Sequence, residues 1–126
     1  MDPTKRLPDS ELELMMIIWE AGQPVTSAYI MDKLAGRRSW AHTTILNFLS
    51  RLVERGFLEI SRQGRYNYYR PLVAEHDYRQ QESKSFLEKM HRSSVTNLVA
   101  SLYDGDALSQ EDLEELKRFL KGVTES

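Results

Sequence analysis

Between Trp40 and Pro71 the chain changes from a helical to a strand period across a single glycine. That change restricts the fold more than any other feature. At about 100° per residue, Ile45, Phe48, Leu49, Leu52 and Val53 fall on one side of a helix over His42–Arg55. Thr43, Thr44, Asn47 and Arg51 fall on the other. Gly56 is placed to close that helix. Strands are expected at about Leu58–Arg62 and Tyr66–Pro71, joined through Gln63–Gly64–Arg65, because glycine accepts the positive φ of a tight turn. Tyr66 and Tyr68 share one strand face, and Tyr69 takes the other.

The chemistry of the exposed sides points to a ligand. A helix showing Thr43, Thr44, Asn47 and Arg51 can read base edges in a major groove. Arginine forks onto guanine or phosphate, asparagine suits adenine, and threonine methyls meet thymine methyls. His42 opens the helix within reach of phosphate. Glu54, near the far end, repels phosphate, so the N-terminal half is expected to enter the groove. Arg62, Arg65 and Arg70 decorate the hairpin, with Arg65 at its tip as the candidate phosphate or minor-groove contact. A polar helix face is often only solvated, and strand-edge cations often only discourage aggregation. Here the two adjoin, and recognition helix plus basic hairpin describes a winged helix.

Charge follows the same division. The chain carries a formal net charge of −2. Over residues 37–70, however, seven arginines face only Glu54 and Glu59. Such a local excess is what a phosphate-binding surface needs. The remainder after residue 70 has seven Lys/Arg against eleven Asp/Glu, and is expected to face solvent or a protein partner. The absence of cysteine excludes disulfides, thiolate catalysis and Cys-based metal sites and fits a reducing cytoplasm. His42, His76 and His91 lack metal-ligand spacing. No nucleophile motif or Gly-rich phosphate loop appears, and the reading calls for no cofactor and no enzyme. Lys5 and Arg6 precede Leu7–Pro8–Asp9 and not an apolar stretch, so no signal sequence is read. Leu14–Trp19 is too short to cross a bilayer, which takes roughly 20 residues, so no membrane insertion is expected.

The fold class expected is mainly α with a small β-hairpin: a winged helix-turn-helix domain over residues 1–73 and a helical dimerisation domain over residues 74–126. A first helix spans about Asp9–Ala21, with Asp9, Glu11 and Glu13 favoured by its dipole. Its apolar residues cover more than one side, so it should be buried from several directions. A second runs from Thr26 or Ser27 to about Ala35, after a short extended piece at Pro24–Val25. Further helices are expected near Glu75–His91, Ser94–Tyr103 and Ser109–Lys121. These last roughly 55 residues are too few to build a core alone. Tyr78, Phe86, Leu87, Met90, Leu98, Leu102, Leu113, Leu116 and Leu120 are therefore expected to pair with a second copy. Packing on the chain's own first helix is the alternative.

The blocks LPDSELELMMIIW (Leu7–Trp19), WAHTTILNFLSRLVERGF (Trp40–Phe57), GRYNYYRPLV (Gly64–Val73), ESKSFL (Glu82–Leu87) and LSQEDLEELKRFL (Leu108–Leu120) resemble the penicillinase and methicillin-resistance repressors of the BlaI/MecI/CopY type. The resemblance implies a homodimeric winged-helix repressor on a palindromic double-stranded DNA operator. It also implies control of β-lactam resistance or cell-wall stress genes, and derepression by proteolysis triggered by a membrane-bound sensor metalloprotease. Copper-responsive members carry paired cysteines near the C-terminus, and this chain has none. Antibiotic-responsive members are cut between Asn and Phe. The aligned bond here is Ser101–Leu102, within the candidate segment Val95–Tyr103, and Asn97–Leu98 lies one helical turn away. Two other uses stay open on sequence: a winged helix for protein contact, and a one-component regulator that releases DNA when it binds a small molecule.

Overall fold

The computed structural model describes residues 6–126. Lys5, on which part of the signal-sequence reading rests, lies outside them. The elements in order are α1 (Asp9–Ala21), α2 (Ser27–Leu34), α3 (His42–Glu54), β1 (Leu58–Gln63), β2 (Tyr66–Pro71), α4 (Glu75–His91), α5 (Val95–Asp104) and α6 (Gln110–Thr124). No described helix is long and apolar enough to cross a membrane.

Local chemistry sets the boundaries. Gly22 ends α1 in the left-handed region. The Thr26 hydroxyl accepts the Tyr29 amide at the start of α2. Ser94 does the same for Asn97 in α5. Ser109 and Asp112 exchange hydrogen bonds in a capping box that opens α6. The Ser109 amide and hydroxyl hold the Asp112 carboxyl below its ordinary range. At the end of α3 the Gly56 amide donates to Val53 and the Phe57 amide to Leu52. That pattern is a Schellman motif, and it needs the left-handed Gly56, φ 83°. It points the chain out of α3 straight into β1.

The strands pair antiparallel from Leu58↔Pro71 to Gln63↔Tyr66. Gly64, φ 66°, takes the first central position of the two-residue turn. Val25 exchanges both backbone hydrogen bonds with Tyr69, at 3.1 and 2.8 Å. The extended piece before α2 is thus a short third rung of the wing sheet.

The chain separates into two compact units, one ending at Glu82 and the other covering Ser83–Ser126. The first holds every buried apolar side chain among the described residues: Leu7, Leu14, Met15, Ile17 and Ile18 meet Val25, Ile30, Leu34, Ile45, Leu49 and Leu52, and Phe57, Leu58, Tyr69 and Tyr78 close the cluster. Leu12 and Trp19 pack beside it, so α1 is buried broadly, as its composition implies. Met16 is the departure: it is exposed.

Tyr78, from the set expected at the dimer interface, sits within this first core. Its hydroxyl accepts the Leu7 amide at 2.9 Å. Its ring lies 5.9 Å from Trp19 and edge-on to Phe57 at 5.8 Å. Burial pushes its phenol above the ordinary tyrosine value, against the opposing pull of the Leu7 amide. Trp19 Nε1 donates to the Val73 carbonyl at 2.8 Å. These contacts bind the start of α4 to the first unit. The second unit, taken by itself, has no buried residue. Phe86, Met90, Val95, Leu102, Tyr103, Phe119, Leu120 and Val123 are exposed. Leu87, Leu98, Leu113 and Leu116 are half-buried.

Candidate nucleic-acid interface

The second and third helices form the helix-turn-helix, and its polar side is built on α3. Ile45, Leu49 and Leu52 are buried, with Phe48 and Val53 half-buried beside them. That leaves His42, Thr43, Asn47, Ser50, Arg51 and Glu54 exposed, while Thr44 is partly covered. Ser50 is the addition: it is exposed on the same side of the helix, across Asn47 from Arg51, a position the helical period permits but its neutral side chain does not advertise. No side chain caps the start of α3 at Ala41, so its first amides add donors at the same end. His42 Nε2 lies 3.0 Å from the Ser27 hydroxyl of α2, which fixes the first side chain of α3 against the preceding helix.

The turn into α3 is stiffened by aromatic and charged contacts. Trp40 packs edge-on to Phe48, centroids 5.2 Å apart. The Arg38 guanidinium covers Trp40 at 5.2 Å and forks onto the Glu13 carboxylate at 2.8 and 3.0 Å. That hydrogen bond, then the Glu13 charge, raises the Arg38 pKa.

The arginines divide into two kinds. Arg38 is paired with Glu13, Arg51 and Arg55 with Glu11, and Arg70 with its cross-strand neighbour Glu59. A count along residues 37–70 misses Glu11 and Glu13, because α1 brings them in from elsewhere in the chain. Arg37, Arg62 and Arg65 face no carboxylate among the described residues. Arg62 donates to the Gly64 carbonyl of its own turn at 3.3 Å, which fastens the wing tip. Arg65 stands at that tip, exposed. The unpaired cations therefore lie at the wing and at the approach to α3, and Arg51 is shared between α3's exposed side and α1.

Tyr69 faces the core and Tyr66 the solvent, following the alternation. Among the described residues no group of histidine and acidic side chains is arranged to hold a metal ion. Ser101 and Leu102 are exposed and lie inside α5.

The comparisons with known proteins give this geometry its context. A family model described as penicillinase repressor matches residues 7–122. The penicillinase repressor of Bacillus licheniformis is 30% identical over 96% of this chain and 94% of its own length. The methicillin resistance regulatory protein MecI of Staphylococcus aureus is 28% identical over 93% of this chain and 94% of its own. The solution structure of the DNA-binding domain of the repressor BlaI superposes with a TM-score of 0.54 at 31% identity, covering 62% of this chain and 94% of that one. The Bacillus licheniformis BlaI monomeric form, in complex with the blaP half-operator, gives 0.52 at 31% identity over the same shares. Match and geometry together establish that this chain belongs to the penicillinase repressor family, a family of DNA-binding transcriptional repressors and not of enzymes.

Proposed function

We propose that this protein is a homodimeric, cytoplasmic repressor that reads a palindromic operator with α3 and steadies itself on the phosphates with its wing. The observation that carries the reading is the strip His42–Thr43–Asn47–Arg51, exposed on a helix whose other side is locked in the core. Thr44 and Asn47 lie toward the end that enters the groove, and Glu54 stays outside it. Arg65, with Arg62 behind it, meets the backbone beside the groove. Two copies of α3 then sit about one turn of DNA apart, roughly 34 Å, on one side of the duplex. Occupancy over a promoter is enough to repress.

The second unit supplies the pairing. Its helices bury nothing of their own, and an apolar surface of that kind is covered in a stable protein. Phe86, Leu87, Met90, Leu98, Leu102, Leu113, Leu116 and Leu120 form the interface in this reading, and Tyr78 is left out because its own chain uses it. Selection of bound duplexes from a random pool tests the proposal. It should enrich an inverted repeat whose half-sites are centred about one helical turn apart. Recovery of unrelated sequences, or a single direct element bound by one chain, contradicts it.

Arg65→Ala separates backbone from base contact. It should weaken binding to selected and scrambled duplexes alike, and flatten the dependence of log K on log salt by about one unit, as one fewer counterion is released. Titration at several salt concentrations measures both.

Release follows from proteolysis in this reading. A membrane-bound sensor metalloprotease cuts within Val95–Tyr103, with Ser101–Leu102 the aligned bond, and genes for β-lactam resistance or cell-wall stress are derepressed. The helical peptide bonds of α5 become accessible only on local opening. Mass mapping of the protein from cells treated with a cell-wall antibiotic should find fragments ending in this segment. Derepression with the chain intact would favour ligand-driven release instead.

A further inference from the structure

A buried carboxylate is costly unless it is compensated, and Glu11 is only 2% exposed. It lies in the first turn of α1, and its oxygens are divided between two arginines of α3. Oε2 lies 3.5 Å from Arg51 Nη1, and Oε1 lies 3.6 Å from Arg55 Nη1. Both exceed the 2.7–2.9 Å of a tight charge-assisted hydrogen bond. Among the described residues Oε1 has no hydrogen-bond partner.

The two arginines are held very differently. Arg55 has a side chain 15% exposed. It donates to the Arg6 carbonyl at 3.2 Å and lies over the Phe57 ring at 5.7 Å. It is built into the first unit. Arg51 is 57% exposed and rests on the Phe48 ring at 5.7 Å. Among the described residues its one carboxylate contact is the long one to Glu11. When Arg51 leaves, Oε2 gives up its hydrogen bond, but the Arg55 cation stays 3.6 Å from Oε1 and the buried charge keeps its ion pair.

We propose that Glu11 is a positioning residue for sequence recognition: it holds the Arg51 guanidinium at the edge of the exposed side of α3 and yields it to the duplex, while Arg55 keeps the carboxylate compensated. The inference rests on the DNA-binding reading. Glu11 does not touch DNA. It restrains the rotamers of a flexible side chain before binding, which lowers the ordering cost at the interface. It also opposes transfer of Arg51 to an arbitrary phosphate, because that transfer gives up the contact without the return of a matched base.

The test uses the full chain and the ratio of its affinities for a selected duplex and a scrambled one. Glu11→Gln keeps the shape and removes the charge. The ratio should fall about tenfold, the discrimination expected from one bidentate base contact. In an Arg51→Ala background the same change should leave the ratio unmoved, since the two act through one contact. A purely structural role would lower the melting temperature and leave the ratio intact, and that result would overturn the proposal. Arg51→Lys keeps the fold and the charge but loses the planar fork. It should lose the same preference even if Glu11→Gln folds poorly, and full preference in Arg51→Lys would equally overturn the inference. If the unaltered protein prefers no duplex at all, the DNA-binding reading fails. If it does prefer one and Glu11→Gln leaves that preference unchanged, only the role of Glu11 fails.

Discussion

A chain ending at Glu82 should fold, remain monomeric, and bind a palindromic duplex roughly 10²–10⁴-fold more weakly than the full chain. The first half of that expectation follows from burial. Among the described residues every buried side chain lies between Leu7 and Tyr78, so the cut removes none of that core. A cut at Glu75, at the start of α4, would take Tyr78 with it, and with Tyr78 the acceptor of the Leu7 amide and the ring between Trp19 and Phe57. The second half follows from linkage. Two joined reading units bind the second half-site intramolecularly, and loss of the joint forfeits that effective concentration without loss of a single protein–DNA contact. The truncated chain should bind a single half-site nearly as well as the full chain does. Sedimentation together with titration on whole and half sites checks both halves. A truncated chain that still sediments as a dimer would place the interface in the first unit.

Phe57→Ala should destabilise the first unit by about 3–5 kcal/mol, the usual cost of removing a fully buried aromatic ring. Phe57 is one of the largest fully buried side chains. It joins three parts of the structure: its amide closes the Schellman motif of α3, its carbonyl accepts the Leu72 amide at 2.8 Å, and its ring meets Tyr78 edge-on under Arg55. Against a total of about 5–15 kcal/mol for a small domain, the loss is a large share. Urea denaturation should move the midpoint with little change in slope. DNA binding should weaken only as far as the unfolded fraction rises, since the ring lies away from the exposed side of α3. A change below about 1 kcal/mol would mean that the site collapses around the cavity more readily than its packing implies.

What was legible in the sequence was local. The apolar period of α3, the left-handed glycine after it and the Gly64 turn each act over a few residues, and from them the helix and the wing follow. Capping is equally local, which is why Thr26, Ser94 and Ser109 announce α2, α5 and α6. Partners distant in sequence were not legible. Glu11 meets Arg51 and Arg55 across 40 residues or more, and no spacing rule carries that pairing. The arginine excess of residues 37–70 read as a free cationic face, whereas four of its seven arginines lie against carboxylates, two of them supplied by α1. Tyr78 reads from its pattern as a side chain that must be buried, and the pattern cannot say against what. Met16 sits in an apolar run that promises burial, yet α1 has an outward side and Met16 lies on it.

Which residues meet the duplex is tested most directly by amide chemical-shift mapping of the labelled full chain. On titration with a selected duplex at moderate salt, perturbations should concentrate on His42, Thr43, Thr44, Asn47 and Arg51 in α3 and on Arg62 to Arg65 in the wing, with Glu11 following Arg51 and the apolar core residues Leu14, Met15 and Ile18 of α1 unmoved. Shifts confined to the outer side of α1 or to the second unit, or no shifts at duplex excess, would contradict this reading.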